Sequence, residues 1–227
     1  MAILLTAQAG WAAGWFWSAV ISAGAFALVA LLLGSTATAN GADGREPALP
    51  KDRSLVKIIV AYGLFGFGYI VTATFLVAIV RQGGGSRVFE AMVWMVTGLA
   101  GIPSVWLWQK IAGKIGLYQA YAFGCLVEVV GVTASVAVGG HIGPLLGGFL
   151  LGGTFIGLHT GRQLAPQAPR RVLALMTASF GLGQIIGPIV AGLLAQASGD
   201  FFLASIMAAA VLLVSGAITW SAAPKSP

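Results

Sequence analysis

The chain has 227 residues, of which 58% are hydrophobic and 8% charged, with a net charge of +6. Soluble globular chains carry roughly 25% charged residues, so this one lacks the polar surface needed to face water. Its basic residues fall between apolar runs instead of clustering on one solvated face, which argues against nucleic acid as a partner. The single cysteine, Cys125, excludes an intrachain disulfide and a thiolate metal cluster.

Apolar runs occur near residues 11–33, 55–80, 89–108, 117–138, 144–162, 172–194 and 201–220. Each is long enough to cross roughly 30 Å of hydrocarbon as a helix rising 1.5 Å per residue. Backbone groups in lipid must be satisfied within the segment, so these runs are predicted helices. The ten-residue alternation of a membrane β-barrel is missing. The expected fold class is therefore an all-α membrane protein with about seven transmembrane helices.

The first run, 1–33, has no Lys or Arg before Arg45, so it lacks the basic start of a cleavable signal peptide and is expected to be retained. Residues 34–54 form the one long polar stretch. It contains Asn40-Gly41, Asp43-Gly44, Pro47 and Pro50, which are turn and breaker residues, and it reads as a cytoplasmic linker. A bundle of six spans then covers 55–220, and 221–227 is a short cytoplasmic tail.

Alternate gaps carry very different numbers of basic residues. Arg45, Lys51, Arg53, Lys57, Lys110, Lys114, Arg162, Arg170, Arg171 and Lys225 fall on one side, against Arg81 and Arg87 on the other. Ten against two places the larger group in the cytoplasm, which puts the N-terminus outside and the C-terminus inside.

On the second span, Tyr62, Phe65, Tyr69 and Thr72 recur at i, i+3, i+7 and i+10 and share a face. Aromatic rings with a few hydroxyls suit an amphipathic small molecule, or ordinary helix packing. On the third, Glu90 lies at the outer end and is expected to pair with Arg87. Trp94, Trp106, Trp108 and Trp220 read as packing or interfacial anchors.

Glu128 is the twelfth residue of the 22-residue run 117–138. An acid at that depth costs about 2.5–3.5 kcal/mol or more when charged, and marks a functional hypothesis. Without a cation nearby it favours its neutral form. It shares a face with Gly124, Gly131 and Ser135, so it points toward protein. Two roles are open: a proton carrier, or a hydrogen-bonded tie between helices.

On the fifth run, Phe155, His159 and Arg162 share a face. His159 can titrate near neutrality, and Arg162 reads as an orientation charge. On the sixth, Gln184 lies beside Gly183, Gly187, Pro188 and Gly192. Glycines four apart let helices approach closely, and a mid-span proline frees a carbonyl and bends its helix. No catalytic constellation, phosphate loop, metal site or haem site is visible in the pattern, so neither an enzyme nor a cofactor is expected.

The Gly183-xxx-Gly187-Pro188-xxx-Gly192 pattern resembles the glycine-proline motif in spans 5 and 11 of the major facilitator superfamily. The stretch Tyr62-Gly-Leu-Phe-Gly-Phe-Gly-Tyr-Ile-Val-Thr-Ala-Thr-Phe resembles span 7 of the subfamily labelled YbfB/YjiJ. Gly152-Gly-Thr-Phe-Ile-Gly-Leu and Ala165-Pro-Gln-Ala-Pro-Arg-Arg-Val-Leu-Ala-Leu-Met are similar to that subfamily too, and Trp11 through Trp17 resembles the start of span 6.

The resemblance runs over nearly the whole chain, in register with spans 6 to 12. It implies a C-terminal six-helix bundle preceded by span 6, with a remnant of span 5 at residue 1. Spans 1 to 5 would be missing, so the chain is expected to be a truncated or half-size form. In place of the family's Ala-Asp-Arg-x-Gly loop stands Ala112-Gly113-Lys114-Ile115-Gly116, without the acid.

The resemblance further implies secondary transport of an unidentified small molecule across a bacterial inner membrane, with proton-coupled efflux as one form. Tyr62, Phe65, Tyr69, Thr72, Phe155, His159 and Gln184 become substrate-cavity candidates, Glu128 the proton-coupling candidate, and Gly183, Gly187, Pro188 and Gly192 a packing or gating motif. Expected partners are the lipid bilayer, the substrate, and a partner helix bundle or a second copy. A non-transporting scaffold is the alternative. A seven-span receptor is disfavoured, because Phe201–Trp220 lacks a lysine for retinal.

Overall fold

The computed structural model describes residues 2–33, 47–50, 52–154 and 166–224, with side chains from residue 12 onward except residue 33. All regular structure among them is helical: α1 (Ala2–Leu33), α2 (Arg53–Gln82), α3 (Arg87–Ile115), α4 (Leu117–Ala137), α5 (Ile142–Gly153), α6 (Pro169–Ser198) and α7 (Phe202–Ala222). The chain divides into two units, Met1–Arg45 and Glu46–Pro227.

The first unit contains α1, a single helix of 32 residues. It begins well before the predicted start at residue 11, because Thr6 and Gln8 interrupt the apolar run without breaking a helix. Among the described residues, six helices are long and apolar enough to cross a membrane: α1 to α4, α6 and α7. Helix α5 is described for 12 residues, short of a full crossing. The rest of that predicted span, with Phe155, His159 and Arg162, lies outside the described residues, as does most of the linker 34–54.

In the second unit the helices outrun the apolar patterns that predict them. α3 continues through Gln109, Lys110, Ala112 and Lys114, all good helix formers, and stops at Gly116, whose φ of +89° only glycine adopts readily. α6 opens with Pro169 in its first turn and closes on Gly199 at φ +82°, whose amide bonds Ala195 O. α2 is capped by Asp52, whose carboxylate accepts the Ser54 amide at 2.8 Å.

α2 is the axis of this unit and touches each of the other five helices. Its closest neighbour is α6, and the approach is set by glycine. A Cβ on Gly183 would collide with the Gly63 carbonyl oxygen, and one on Gly187 would sit 2.7 Å from Phe67 O. Similar bare-backbone contacts join α5 to α3, where Gly152 meets the Thr97 carbonyl oxygen, and α5 to α4, where Gly147 meets Ser135. Lipid tails are as apolar as leucine, so helices in a bilayer associate through such close packing and not through water exclusion.

Cross-helix hydrogen bonds reinforce these contacts. Ser179 Oγ donates to Ile59 O at 2.8 Å, joining α6 to α2, and Ser215 Oγ donates to Ala61 O at 2.7 Å, joining α7 to α2. At one end of the unit, Lys57 Nζ donates to both Ser221 O and Ser221 Oγ at 3.1 Å. At the other, Arg81 grips Glu90 with two hydrogen bonds of 2.6 and 3.1 Å. The expected partner of Glu90 was Arg87. Instead α2 and α3 run antiparallel about a short turn, which brings Arg81 opposite Glu90.

Candidate functional site

The aromatic stripe of α2 lies inside the bundle. Tyr62 and Phe65 are 6% and 4% exposed, Thr72 is fully enclosed, and Tyr69 is half-buried. Their rings meet Tyr121 of α4 and Phe180 of α6. Tyr62 lies 4.9 Å from Phe180 and Phe65 lies 5.8 Å from Tyr121, centroid to centroid, while Phe65 stacks on Tyr69 at 5.8 Å. Offset and tilted pairs at these separations are mutually attractive. The result is a five-ring cluster built from three helices.

Glu128 is buried at 1% exposure on α4, facing inward. Its Oε2 is hydrogen-bonded by the Thr154 hydroxyl at the end of α5. Thr154 Oγ1 also lies 3.1 Å from Leu150 O and 3.2 Å from Leu151 O. A hydroxyl has one proton and two acceptor lone pairs. When Glu128 is ionised, Thr154 can donate to it. When Glu128 is protonated, the acid can donate to Thr154, which turns its own proton to the α5 backbone. The pair is hydrogen-bonded in both states of the acid.

Glu128 shares the buried face of α4 with Tyr121 of the ring cluster and with Cys125. Cys125 Sγ lies 3.8 Å from Ser215 Oγ. The Tyr121 and Thr72 hydroxyls find no hydrogen-bond partner among the described residues. Buried hydroxyls normally find a partner, so these two are spare polar groups within an apolar bundle.

Gly183 and Gly187 stand against α2, Gly192 makes ordinary contact with Phe75, and Pro188 lies within α6. Gln184 is half-buried beside them. Thus the structure brings Tyr62, Phe65, Tyr69 and Glu128 into one region. Phe155 and His159 lie outside the described residues. Sequence reading missed Thr154, Tyr121 and Phe180. Thr154 carries a signal only in hindsight, as a hydroxyl ending the glycine-rich run 147–153. Trp108, read as a packing residue or an interfacial anchor, is buried, and its indole donates to Gly153 O at 2.6 Å, beside Thr154.

No group of three or more His, Cys, Asp or Glu side chains that could hold a metal ion occurs among the described residues. Comparison with curated proteins gives no match. The family model described as "Uncharacterised MFS-type transporter YbfB" matches residues 1–220. With a helical bundle of membrane-spanning length folded around that match, the chain belongs to this family of the major facilitator superfamily and is a multi-pass membrane protein of transporter type.

Proposed function

We propose that the chain moves a small amphipathic molecule as a secondary transporter coupled to protons, with Glu128 as the proton-carrying group. The observation that carries this is the Glu128–Thr154 pair, which is hydrogen-bonded whether or not the acid holds a proton. A group that must load and unload a proton inside a bilayer needs that property, since an unsatisfied state would be too costly to visit. The other acids on described residues, Asp52, Glu90 and Asp200, stand at helix ends.

Tyr62, Phe65 and Tyr69 are the substrate-contacting candidates, joined by Tyr121 and Phe180. Tyr62, Phe65 and Tyr121 are buried in this conformation while Tyr69 and Phe180 are half-buried, so access to the whole cluster requires helix motion, as in transporters that rock one bundle against another. Gly183 and Gly187 supply a smooth seam for such motion between α2 and α6, with Pro188 as a bend. A partner bundle or a second copy would face the apolar outer surfaces of α3 and α6. Residues 34–54 act as the linker between α1 and the six-span bundle 55–220, and 221–227 as the tail.

The basic end of the bundle, with Arg53, Lys57, Lys110, Lys114, Arg170 and Arg171, faces the cytoplasm of a bacterial inner membrane, by the excess of positive charge there. The family is one of transporters, which supports a non-enzymatic role.

Infrared difference spectroscopy on the protein in liposomes tests the central point. The protonated carboxyl band of Glu128 should appear and vanish as pH is cycled, and should be missing in Glu128→Gln. A band unchanged at every pH would make Glu128 a static tie between α4 and α5. The scaffold reading, in which the bundle transports nothing, would then gain support from the same pair of residues.

A further inference from the structure

At the end of the second unit opposite Lys57 and Ser221, a cavity of about 380 Å³ opens between the ends of α2, α4, α5 and α7. Small-molecule sites begin at roughly 300 Å³. The space exists because the α2–α3 turn lines it with Gly83 and Gly85, and the α4–α5 turn with Gly139 and Gly140. No Lys or Arg lines it among the described residues. Arg81 and Arg87 flank the α2–α3 turn without lining the cavity, and Arg81 is committed to Glu90.

Rings, aliphatic groups and polar groups share the wall, with one carboxylate among the described residues. Phe89, Phe201 and Phe202 contribute rings, His141 packs edge-on to Phe89 at 4.2 Å, and Asp200 supplies the charge. Asp200 Oδ1 accepts the Phe202 amide at 3.0 Å, which holds the exposed carboxylate at the start of α7. Gln82 donates to Gly199 O at 3.3 Å and holds the α6–α7 turn in place. A carboxylate and three phenyl rings lining one half-polar, half-apolar pocket is the chemistry that receives an organic ammonium group.

We propose that this vestibule binds an organic ammonium group with a short apolar stem. The site is separate from Glu128 and its rings and does not depend on the transport reading. The group can come from a free amine or from an ethanolamine lipid headgroup, since this is an end of the bundle where headgroups lie.

The test is equilibrium dialysis of labelled benzyltrimethylammonium against the purified full chain in maltoside micelles, with empty micelles as the blank. Asp200→Asn removes the charge but keeps an oxygen to cap the Phe202 amide, so folding is preserved. Its affinity should fall about threefold to fivefold, the range for a partly exposed charge pair. Phe202→Leu should lose about twofold to fivefold through the missing ring face. Both variants should elute from size exclusion as the parent does.

Saturable binding that both substitutions weaken upholds the site. No saturable binding by the parent chain, or binding that neither substitution changes, overturns it. Repeating the parent titration in nanodiscs assigns the source. If phosphatidylethanolamine competes and phosphatidylglycerol does not, the headgroup is the occupant. If neither competes, the occupant is a free amine.

Discussion

Stretches of 18 residues in α4 and α6 have the same mean hydropathy, 1.7, yet half of the α4 stretch is buried inside the protein and only 17% of the α6 stretch. In water, such a difference in burial would be written in hydrophobicity. In a bilayer both faces of a helix can be apolar, and the distinguishing signal passes to small and polar residues. α4 buries Gly124, Glu128, Gly131 and Ser135. α6 buries Val172, Met176, Gly183, Gly187 and Ala191 on one narrow seam against α2 and leaves Leu182, Ile185, Ile186 and Ile189 outside.

Substitutions on α6 and on α7, where it packs against α4 and α2, can break or sharpen that contrast. Gly183→Leu should have the largest effect, because the new side chain would collide with the α2 backbone at Gly63. Forcing the helices apart should cost about 3 kcal/mol or more, at the top of the usual overpacking range. The expected result is loss of the monodisperse peak in detergent chromatography; a normal peak and melting temperature would show that α6 is not seated on α2 as described.

Gly216→Ala comes next. Its new methyl would meet Cys125 Cβ at 3.2 Å, across the interface of α7 with α4, where the neighbour must yield slightly. A loss of about 1 kcal/mol is expected in reversible unfolding from mixed micelles. Ser215→Ala removes the hydrogen bond to Ala61 O and should cost about 0.6 kcal/mol, the average for polar contacts between membrane helices.

Gly181→Ala, on the open face of α6 with nothing within 4 Å, should instead stabilise by about 0.5–1 kcal/mol through helix propensity. Ile185→Val, on the same outer face, should stay within about 0.5 kcal/mol of the parent. If the two glycine substitutions at 181 and 183 behaved alike, the inside–outside assignment of α6 would fail.

The same physics explains what the sequence could reveal. Length and hydropathy locate the spans, since both respond to lipid thickness. Glu128 stands out because acids are rare at that depth, and Gly183 and Gly187 because their spacing matches a helix face. The orientation of the Tyr62 stripe was not legible: periodicity says that Tyr62, Phe65 and Tyr69 share a face, but not that Tyr121 and Phe180 will meet them. Thr154 was illegible for a similar reason, since its role depends on a residue 26 positions away on another helix. The vestibule escaped notice because it is assembled from loops and helix ends that carry no common pattern.

The contacts between α2 and α7 have a consequence for biosynthesis. The Ala61 carbonyl and the Lys57 ammonium find their partners 154 and 164 residues later, on the last helix of the unit. A nascent chain therefore carries its axial helix in the membrane, incompletely dressed, until α7 has been made. Any stall before α7 emerges would expose a lysine and a glycine-scored surface to the insertion machinery and to membrane proteases. Completion of the final helix is the event that locks the unit shut.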